Sequence, residues 1–196
     1  MKTGSIFSML IILTLAGCGK ERKEVMEEKT GIITFKGSPL TLLGPELKVG
    51  QMIPEATLTA TDLSEIPISS FKGKTLIIST VPSLDTSVCS LQTKRFNEEA
   101  KKLGGQVNIL TISMDLPFAQ KRWCGAEGAE DIKVASDYKD AKFARASGLL
   151  IKELHLLARS VIIVDKTGKI AYIQIVPEVT TEPDYDAVLA ALNELK

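Results

Sequence analysis

Histidine and cysteine are scarce in this 196-residue sequence, which contains one His and three Cys. One histidine excludes a multi-histidine metal site, and three cysteines are too few for a disulfide scaffold or an all-cysteine zinc site. The 24 Lys and Arg residues are balanced by 24 Asp and Glu, so the basic excess on which electrostatic binding to nucleic acid depends is missing. With 44% apolar and 24% charged residues, the chain is expected to form one globular domain.

The sequence also lacks an apolar run of the roughly 20 residues that a membrane-spanning helix needs. Its beginning carries a nearly unbroken apolar run of ten residues, Ile6 to Leu15, after the positive charge of Lys2. A run of this length is typical of a signal-peptide core. It ends in Leu15-Ala16-Gly17-Cys18, which resembles the bacterial lipoprotein signal motif Leu-x-Gly-Cys, in which the cysteine thiol carries the lipid. An ordinary secretory signal followed by an incidental cysteine is the alternative interpretation.

Three segments are expected along the chain. Residues 1–17 are interpreted as a lipoprotein signal peptide, residues 18–30 as a lipidated Cys18 with a charged tether, and residues 31–196 as the folded domain. The tether carries balanced charges of both signs, which favours a solvated spacer over a basic membrane-binding patch. The protein is therefore expected to be exported and anchored to a membrane through its lipid, on the periplasmic or cell-envelope side.

The domain alternates between apolar, β-branched runs and amphipathic segments, which is typical of an α/β protein. Two short strand-like runs around a turn at Gly37-Ser38-Pro39 predict an N-terminal β-hairpin. The following elements have the predicted order β-α-β-(α)-α-β-β-α and lie at residues 75–81, 87–103, 107–114, 118–123, 139–146, 160–165, 170–176 and 185–195. This order indicates a thioredoxin-like fold, in which helices flank both faces of a mixed central sheet.

The connection between the first buried strand and the helix at 87–103 carries the most chemical information. Pro82 ends the strand, and Thr86 or Ser87 is a suitable N-cap for the helix. Cys89 then falls in the first helical turn, where unpaired backbone N–H groups and the helix dipole favour negative charge. A cysteine in this position is expected to favour the reactive thiolate. Thr86 lies about one turn before Cys89, so its hydroxyl is expected to face the sulfur.

Pro82, Thr86 and Cys89 form the pattern Pro-x-x-x-Thr-x-x-Cys, which resembles the active-site motif of the peroxiredoxins. The fuller stretch Pro-Ser-Leu-Asp-Thr-Ser-Val-Cys is similar to the thiol peroxidase subfamily, the atypical two-cysteine peroxiredoxins. Further similarities lie in the opening hairpin and in residues 113–124, 157–160 and 176–186. The resemblance covers residues 31–196, and the lipoprotein leader is its departure from the subfamily pattern.

The resemblance implies a peroxidase mechanism based on two cysteines. Cys89 would attack a hydroperoxide and become a sulfenic acid, and Cys124 would resolve this acid by forming an intramolecular Cys89–Cys124 disulfide. Thr86, Arg159 and backbone N–H groups near Cys89 would stabilise the negative charge that develops over two oxygens. Pro82 would shield the sulfenic acid from water and from overoxidation. Neither a cofactor nor a metal is implied.

The resemblance also implies partners and a motion. Hydrogen peroxide or an organic hydroperoxide is expected as the substrate, and thioredoxin or a thioredoxin-like dithiol as the reductant. A homodimer is expected because the subfamily is commonly dimeric. Cys89 and Cys124 are 35 residues apart, and a disulfide requires Cα atoms within roughly 7 Å. If the reduced protein holds them farther apart, local unfolding around residues 87–91 and 115–128 is expected to bring them together.

The residues alone leave other interpretations open. Cys89 and Cys124 could form a static disulfide in a lipid-anchored binding module, as in many exported proteins. The protein could also be a thioredoxin-like disulfide exchanger, but Cys89 is followed by Ser-Leu-Gln and not by the second cysteine of a Cys-x-x-Cys motif. Loss of two thiols in response to peroxide distinguishes the peroxidase from both alternatives.

Other conspicuous side chains have simpler interpretations. By position alone, Arg159 could be a surface ion-pair residue, and Thr86 could be no more than an N-cap. His155 is expected at the surface or in packing, because a thiolate needs no partner base. Trp123 is expected to pack, and Asp85 to order the loop.

Overall fold

The structure is a computed structural model that describes residues 26–195. The predicted signal peptide, Cys18 and the tether up to residue 25 lie outside the described residues. The strands are β1 Glu28–Phe35, β2 Ser38–Leu43, β3 Thr57–Ala60, β4 Glu65–Pro67, β5 Thr75–Thr80, β6 Val107–Ser113, β7 Lys133–Ser136, β8 Leu150–Ile151, β9 Leu156–Leu157, β10 Ser160–Val164 and β11 Ile170–Ile175. The helices are α1 Ser87–Leu103, α2 Pro117–Glu127, α3 Lys142–Ala146 and α4 Tyr185–Asn193. No helix between residues 26 and 195 combines the length and the apolar character needed to cross a membrane.

Seven strands form the central sheet in the order β11-β10-β5-β6-β7-β3-β4. The middle strands β5, β6 and β7 run parallel, while β10 and β3 pair antiparallel on either side of them. Strands β5 and β10 are buried along their whole length. Burial on both faces explains why these strands are continuous apolar or small-residue runs without polar alternation. The predicted mixed sheet of a thioredoxin-like fold is confirmed.

Two hydrophobic cores lie on opposite faces of this sheet. Helices α1, α2 and α4 cover one face, where Phe96 and Trp123 are buried. Helix α3, which contributes Phe143, covers the other face together with a second sheet of order β1-β2-β8-β9. Successive residues of β5 point to opposite cores, with Ile77 in the first and Ile78 in the second. Helices therefore flank both faces, as predicted.

The N-terminal hairpin is present, with a turn one residue earlier than predicted. Lys36 and Gly37 form a two-residue connection with φ of 50° and 79°, the left-handed conformation that tight hairpin turns require. The predicted turn residues Ser38 and Pro39 instead belong to β2 and pair with β1. Strand β1 begins at Glu28, so the last three residues assigned to the tether at 18–30 belong to the folded domain.

The remaining differences from the predicted elements concern short segments. Helix α2 extends to Glu127, past the predicted end at residue 123, whereas α3 starts at Lys142 and not at residue 139. Ala141 before α3 has a left-handed φ of 51°, and the Asp137 carboxylate accepts the N–H groups that α3 presents at its start. Strands β3, β4, β7, β8 and β9 were not predicted, because none has more than four residues, and β3 and β7 pair with each other although they are far apart in sequence.

Candidate active site

The parallel strands place three chain segments at one edge of the central sheet. Strands β5 and β6 run side by side in register, with Thr80 opposite Ile112, so the loops that follow them leave the same edge. Antiparallel β10 begins at this edge, with Ser160 opposite Thr80. The loop at Pro82, the connection at Asp115 and the residue before β10, Arg159, therefore meet at the carboxyl end of the central strands, the usual location of sites in open α/β sheets.

Cys89 is the third residue of α1 and is fully buried, with 0% of its surface exposed. Thr86 is the N-cap, and the Ser90 N–H is bonded to the Thr86 carbonyl at 3.0 Å. The N–H groups that precede this bond have no partner within the helix, because no turn lies before them. Cys89 therefore lies in the first turn of α1, at the positive end of the helix dipole.

Arg159 is the buried cation that faces this sulfur. Its side chain is 1% exposed, and its Nη2 lies 3.3 Å from Cys89 Sγ. Its Nε and Nη2 also donate to the Val179 carbonyl at 3.1 and 2.9 Å, and its Nη1 donates to Gln92 Oε1 at 2.7 Å. None of the ion pairs found in residues 26–195 joins Arg159 to a carboxylate. The guanidinium therefore lies against the sulfur while the neutral acceptors of Gln92 and Val179 hold it in place.

Gln92 is a site residue that the sequence analysis missed. It lies one turn after Cys89 on the buried face of α1, and its Nε2 donates to Ser79 Oγ at 2.7 Å while its Oε1 accepts from Arg159. The amide thus ties the guanidinium to strand β5. A polar residue at i+3 from the cysteine, on a face that is otherwise buried, was the available signal.

Thr86 makes a different contact from the one expected. Its hydroxyl donates to the Ser83 carbonyl at 3.0 Å, and it forms no side-chain cap on the helix. The hydroxyl hydrogen is therefore directed to the loop before α1 in this structure. Its oxygen lone pairs remain able to accept a hydrogen bond. Pro82, next to this loop, is buried.

Asp115 fastens the loop before Cys89 to the connection between β6 and α2. Its carboxylate accepts from Ser83 Oγ at 2.7 Å, from the Leu84 N–H at 2.8 Å and from Ser113 Oγ at 2.7 Å. Asp115 lies within residues 113–124, which resemble the thiol peroxidase subfamily, but the sequence indicates no role for it, because its partners in the loop are more than 30 residues away. The carboxylate couples the segment before Cys89 to the helix that carries Cys124.

Cys124 lies in α2 and is half-buried. Burial raises the pKa of the Cys124 thiol above its usual value, so the thiol stays protonated at neutral pH. Its side chain lines a shallow groove together with apolar residues that include Phe71, Ile132 and Val134. Cys89 and Cys124 are both free thiols in this structure.

The other side chains singled out earlier lie around this site or away from it. Trp123 is buried and donates from Nε1 to Ser90 Oγ at 3.1 Å, which joins α2 to α1 beside both cysteines. Asp85 is exposed and lies 3.7 Å from Arg122 in a surface ion pair. His155 is exposed in the turn between β8 and β9. Within residues 26–195, no group of three or more His, Cys, Asp or Glu side chains is arranged to hold a metal ion.

Comparison with known proteins agrees with this geometry. Residues 48–189 match the Redoxin family. The chain is 53% identical over 162 residues to the thiol peroxidase of Oceanobacillus iheyensis and 52% identical over 163 residues to that of Bacillus subtilis. These alignments cover 83% of this chain and 98% and 97% of the two relatives. The crystal structure of a peroxiredoxin-like protein from Aquifex aeolicus matches with a TM-score of 0.80 at 45% identity, covering 87% of this chain and 99% of that one.

Proposed function

The chain belongs to the redoxin family and is a thiol-dependent peroxidase of antioxidant defence, and from this premise we propose that Cys89 is the thiol that reacts with peroxide. The observation that carries the proposal is the 3.3 Å contact between Arg159 Nη2 and the buried Cys89 Sγ at the start of α1. A cation and a helix N-terminus converge on this sulfur, and both stabilise a thiolate.

In the first step, the Cys89 thiolate attacks the terminal oxygen of a hydroperoxide. The S–O bond forms as the O–O bond breaks, and the electron pair leaves with the second oxygen as alkoxide or hydroxide. This leaving group takes up a proton and departs as an alcohol or as water, while Cys89 remains as a sulfenic acid. The sulfur is oxidised by two electrons and the peroxide is reduced by two.

The charge that develops on the two peroxide oxygens is stabilised by donors that are already in place. The Arg159 guanidinium donates in a water-excluded pocket, where such hydrogen bonds have their largest effect. The backbone N–H groups at the start of α1 supply further donors. Thr86 Oγ1 accepts the hydrogen of the hydroperoxide O–H, because its own hydrogen is directed to the Ser83 carbonyl. Buried Pro82 keeps water away from the product.

The second step regenerates the site through Cys124. The Cys124 sulfur loses its proton and attacks the Cys89 sulfur, hydroxide leaves as water, and a Cys89–Cys124 disulfide forms. The raised pKa of the Cys124 thiol keeps it unreactive while α2 is folded. Unfolding around residues 87–91 and 115–128 exposes it to water and brings the sulfurs together. A thioredoxin-type dithiol then reduces the disulfide by exchange and is itself oxidised to a disulfide.

The substrate range includes organic hydroperoxides as well as hydrogen peroxide. Leu84 and Val88 flank the reactive segment, and Leu84 is buried while Val88 is half-buried. These apolar side chains are better suited to contact the alkyl group of an organic hydroperoxide than a charged substituent. Comparison of rate constants for hydrogen peroxide and for an alkyl hydroperoxide of similar reactivity tests this range.

Oxidation with one equivalent of peroxide tests the mechanism directly. Residues 19–196 are reduced, treated with one equivalent of hydrogen peroxide, and analysed by intact mass and free-thiol count. We expect rapid loss of two thiols, a mass lower by two hydrogens and a Cys89–Cys124 linked peptide. The matched control, Cys124→Ser, should stop at a sulfenic acid that a dimedone probe captures. Unchanged thiols after one equivalent of peroxide would contradict the proposal.

We also propose that lipidation of Cys18, which lies outside the described residues, anchors the enzyme on the outer side of a membrane. The support is the order of Lys2, the apolar run and Leu15-Ala16-Gly17-Cys18. Mass spectrometry of the detergent-extracted protein should find a chain that begins at Cys18 and carries diacylglycerol on that residue. A mature chain without lipid, or one that begins elsewhere, would contradict the proposal.

A homodimer is the remaining proposal, supported by exposed apolar side chains beside the site. Leu116 and Phe118, at the start of α2, are 52% and 65% exposed. A second copy of the chain would remove this apolar surface from water. Analytical ultracentrifugation of residues 19–196 should give the mass of two chains, and Phe118→Glu should shift it towards one. A single-chain mass at micromolar concentration would contradict the dimer.

A further inference from the structure

Glu178, in the segment between β11 and α4, is a hub of hydrogen bonds to the N-terminal hairpin. Its carboxylate accepts from Thr34 Oγ1 at 2.8 Å and from the N–H groups of Lys36 and Gly37 at 3.0 and 3.1 Å. It also accepts from the N–H and hydroxyl of Thr180 at 3.0 and 2.6 Å. The bonds from the hydroxyl and N–H of Thr180, together with those from the Gly37 and Lys36 N–H groups, hold the pKa of the Glu178 carboxyl far below its usual range, so the group stays ionised.

The hairpin turn explains why an acceptor is needed at this position. Lys36 and Gly37 both have positive φ in the tight connection between β1 and β2, and both of their N–H groups are directed to Glu178. An ionised carboxylate forms hydrogen bonds about twice as strong as a neutral acceptor does. Glu178 therefore fixes the tip of the hairpin against the segment at residues 177–180.

Backbone bonds continue this connection to the catalytic arginine. The Thr34 N–H donates to the Pro177 carbonyl at 2.7 Å, and the Val179 N–H donates to the Thr34 carbonyl at 2.9 Å. The carbonyl of Val179 accepts both the Nε and the Nη2 of Arg159. The N–H group of Val179 is thus bonded to the hairpin, and its carbonyl group is bonded to the Arg159 guanidinium. Arg159 Nη2 in turn lies 3.3 Å from Cys89 Sγ.

Regular secondary structure does not place the Val179 carbonyl. The segment between the end of β11 and the start of α4 contains only an isolated bridge, between Glu178 and Thr34. The position of the acceptor that orients Arg159 therefore depends on the hairpin contacts. The hairpin strand β1 lies outside residues 48–189, which match the Redoxin family. The contacts that hold the Val179 carbonyl therefore come from a part of the chain that precedes the matched region.

We propose that Glu178 is a positioning residue, which locks the N-terminal hairpin onto the Val179 carbonyl and thereby directs the Arg159 guanidinium at Cys89. Glu178 does not touch the substrate and acts only through Val179 and Arg159. This inference rests on the proposed function of Cys89 and Arg159. It predicts that loosening the hairpin at Glu178 slows the reaction of Cys89 with peroxide.

The test compares two carboxylates that both hold the hairpin. Glu153 accepts the Thr41 N–H of β2 at 3.0 and 3.2 Å but has no link to Val179, which makes Glu153→Gln the matched control. The full chain, in a peroxide-free detergent, is mixed with hydrogen peroxide, rapidly quenched and analysed by mass. We expect Glu178→Gln to lower the rate constant for Cys89 oxidation roughly tenfold, since a misplacement of about 1 Å at a catalytic group costs up to about 100-fold. Glu153→Gln should change the rate constant less than about twofold by the same reasoning.

Two additional readouts separate positioning from general stability. The ultraviolet absorbance of the Cys89 thiolate at neutral pH, measured in a Cys124→Ser background, should fall in Glu178→Gln and not in Glu153→Gln. In an Arg159→Ala background, Glu178→Gln should have little further effect on the rate, because the group that it positions is gone. Thr34→Val removes one of the five bonds and should lower the rate constant for Cys89 oxidation by less than Glu178→Gln does. This variant replaces Glu178→Gln in the test if Glu178→Gln does not fold.

The outcomes distinguish this proposal from the function on which it rests. Equal losses in Glu178→Gln and Glu153→Gln, or an unchanged rate in both Glu178→Gln and Thr34→Val, would overturn the positioning role. Additive losses from Arg159→Ala and Glu178→Gln would also overturn it. If Arg159→Ala itself leaves the rate unchanged, the assignment of Arg159 in the proposed function fails, and the positioning role fails with it.

Discussion

Cys89 and Cys124 differ in burial and in the groups that surround them. Cys89 is fully buried at the start of α1, and its sulfur lies against a guanidinium that three further acceptor contacts hold in place. Cys124 is half-buried in α2, and its side chain borders an open groove of mixed polar and apolar lining. The Cys89 thiol therefore lies within a network of hydrogen bonds. The Cys124 thiol is affected mainly by burial, which raises its pKa and keeps it protonated.

This difference matches the two steps of the proposed reaction. Attack on a peroxide requires donors that are placed before charge develops, which a rigid and buried network provides. The proposed disulfide formation involves local unfolding of the segment that carries Cys124, and local unfolding is easier where few buried contacts are lost. Asp115 lies between the two regions, because its carboxylate bonds to the loop before Cys89 and to the end of β6. The following predictions test how far the two regions can be separated.

The largest effect is expected from replacing the two cysteines separately. Cys89→Ser should abolish peroxide consumption, since no thiolate remains beside Arg159. Cys124→Ser should leave the first oxidation of Cys89 close to wild type but stop turnover with a thioredoxin-type dithiol. Steady-state turnover and single-turnover quenching measure the two steps. A Cys124→Ser enzyme that oxidises as slowly as Cys89→Ser would show that the two regions are not separable.

Arg159→Lys should have the next largest effect. Lysine keeps the positive charge but lacks the planar fork that reaches Cys89, Gln92 and Val179 together. We expect the rate constant for Cys89 oxidation to fall by about 100-fold, which is typical for loss of one preorganised donor. Arg145→Lys, an exposed control, should be near wild type. A loss of less than about threefold in Arg159→Lys would mean that charge alone is sufficient, against the expectation for an oriented donor.

Asp115→Asn should change the balance between the two steps. The amide loses part of the acceptor capacity that holds Ser83 and Leu84, so the loop before Cys89 opens more readily. We expect the first oxidation to slow and disulfide formation to accelerate, each by roughly three- to tenfold, which corresponds to the net contribution of one typical hydrogen bond. The exposed control Asp131→Asn should change neither step. Parallel slowing of both steps would contradict a coupling role for Asp115.

The smallest effect is a pH dependence at Cys124. Because burial raises the pKa of this thiol, its alkylation in a Cys89→Ser background should require a higher pH than alkylation of the same chain unfolded in urea. The sign for stability follows, since the folded state holds the proton at a pH where the unfolded state has lost it. The free energy of unfolding should therefore decrease as pH rises from the unfolded pKa to the folded pKa. Cys124→Ser should remove this decrease, and coincident alkylation profiles would argue against burial of the thiol.

Much of the architecture could be predicted because its signals are local. Helix α1 was predicted with its observed bounds, since an N-cap residue precedes it and Gly104 ends it in the left-handed conformation. The apolar run of β5 predicted a buried strand that ends before Pro82. Strand β7 escaped prediction because its four residues form a strand only between β6 and β3. Local periodicity carries no signal for a strand that short.

The active site, like the fold, has a part that local sequence signals predict and a part that they do not. The sequence by itself determined that Cys89 lies in the first turn of a helix after a buried strand, because capping, periodicity and chain direction act over fewer than about ten residues. Only the tertiary structure decided what surrounds the sulfur. Gln92 contacts Arg159, which lies 67 residues away, and Asp115 contacts Ser83, which lies 32 residues away. Glu178 contacts Thr34, which lies 144 residues away. Hydrogen bonds of this kind depend on how β5, β6, β10 and the hairpin come together, which no pattern within one segment records.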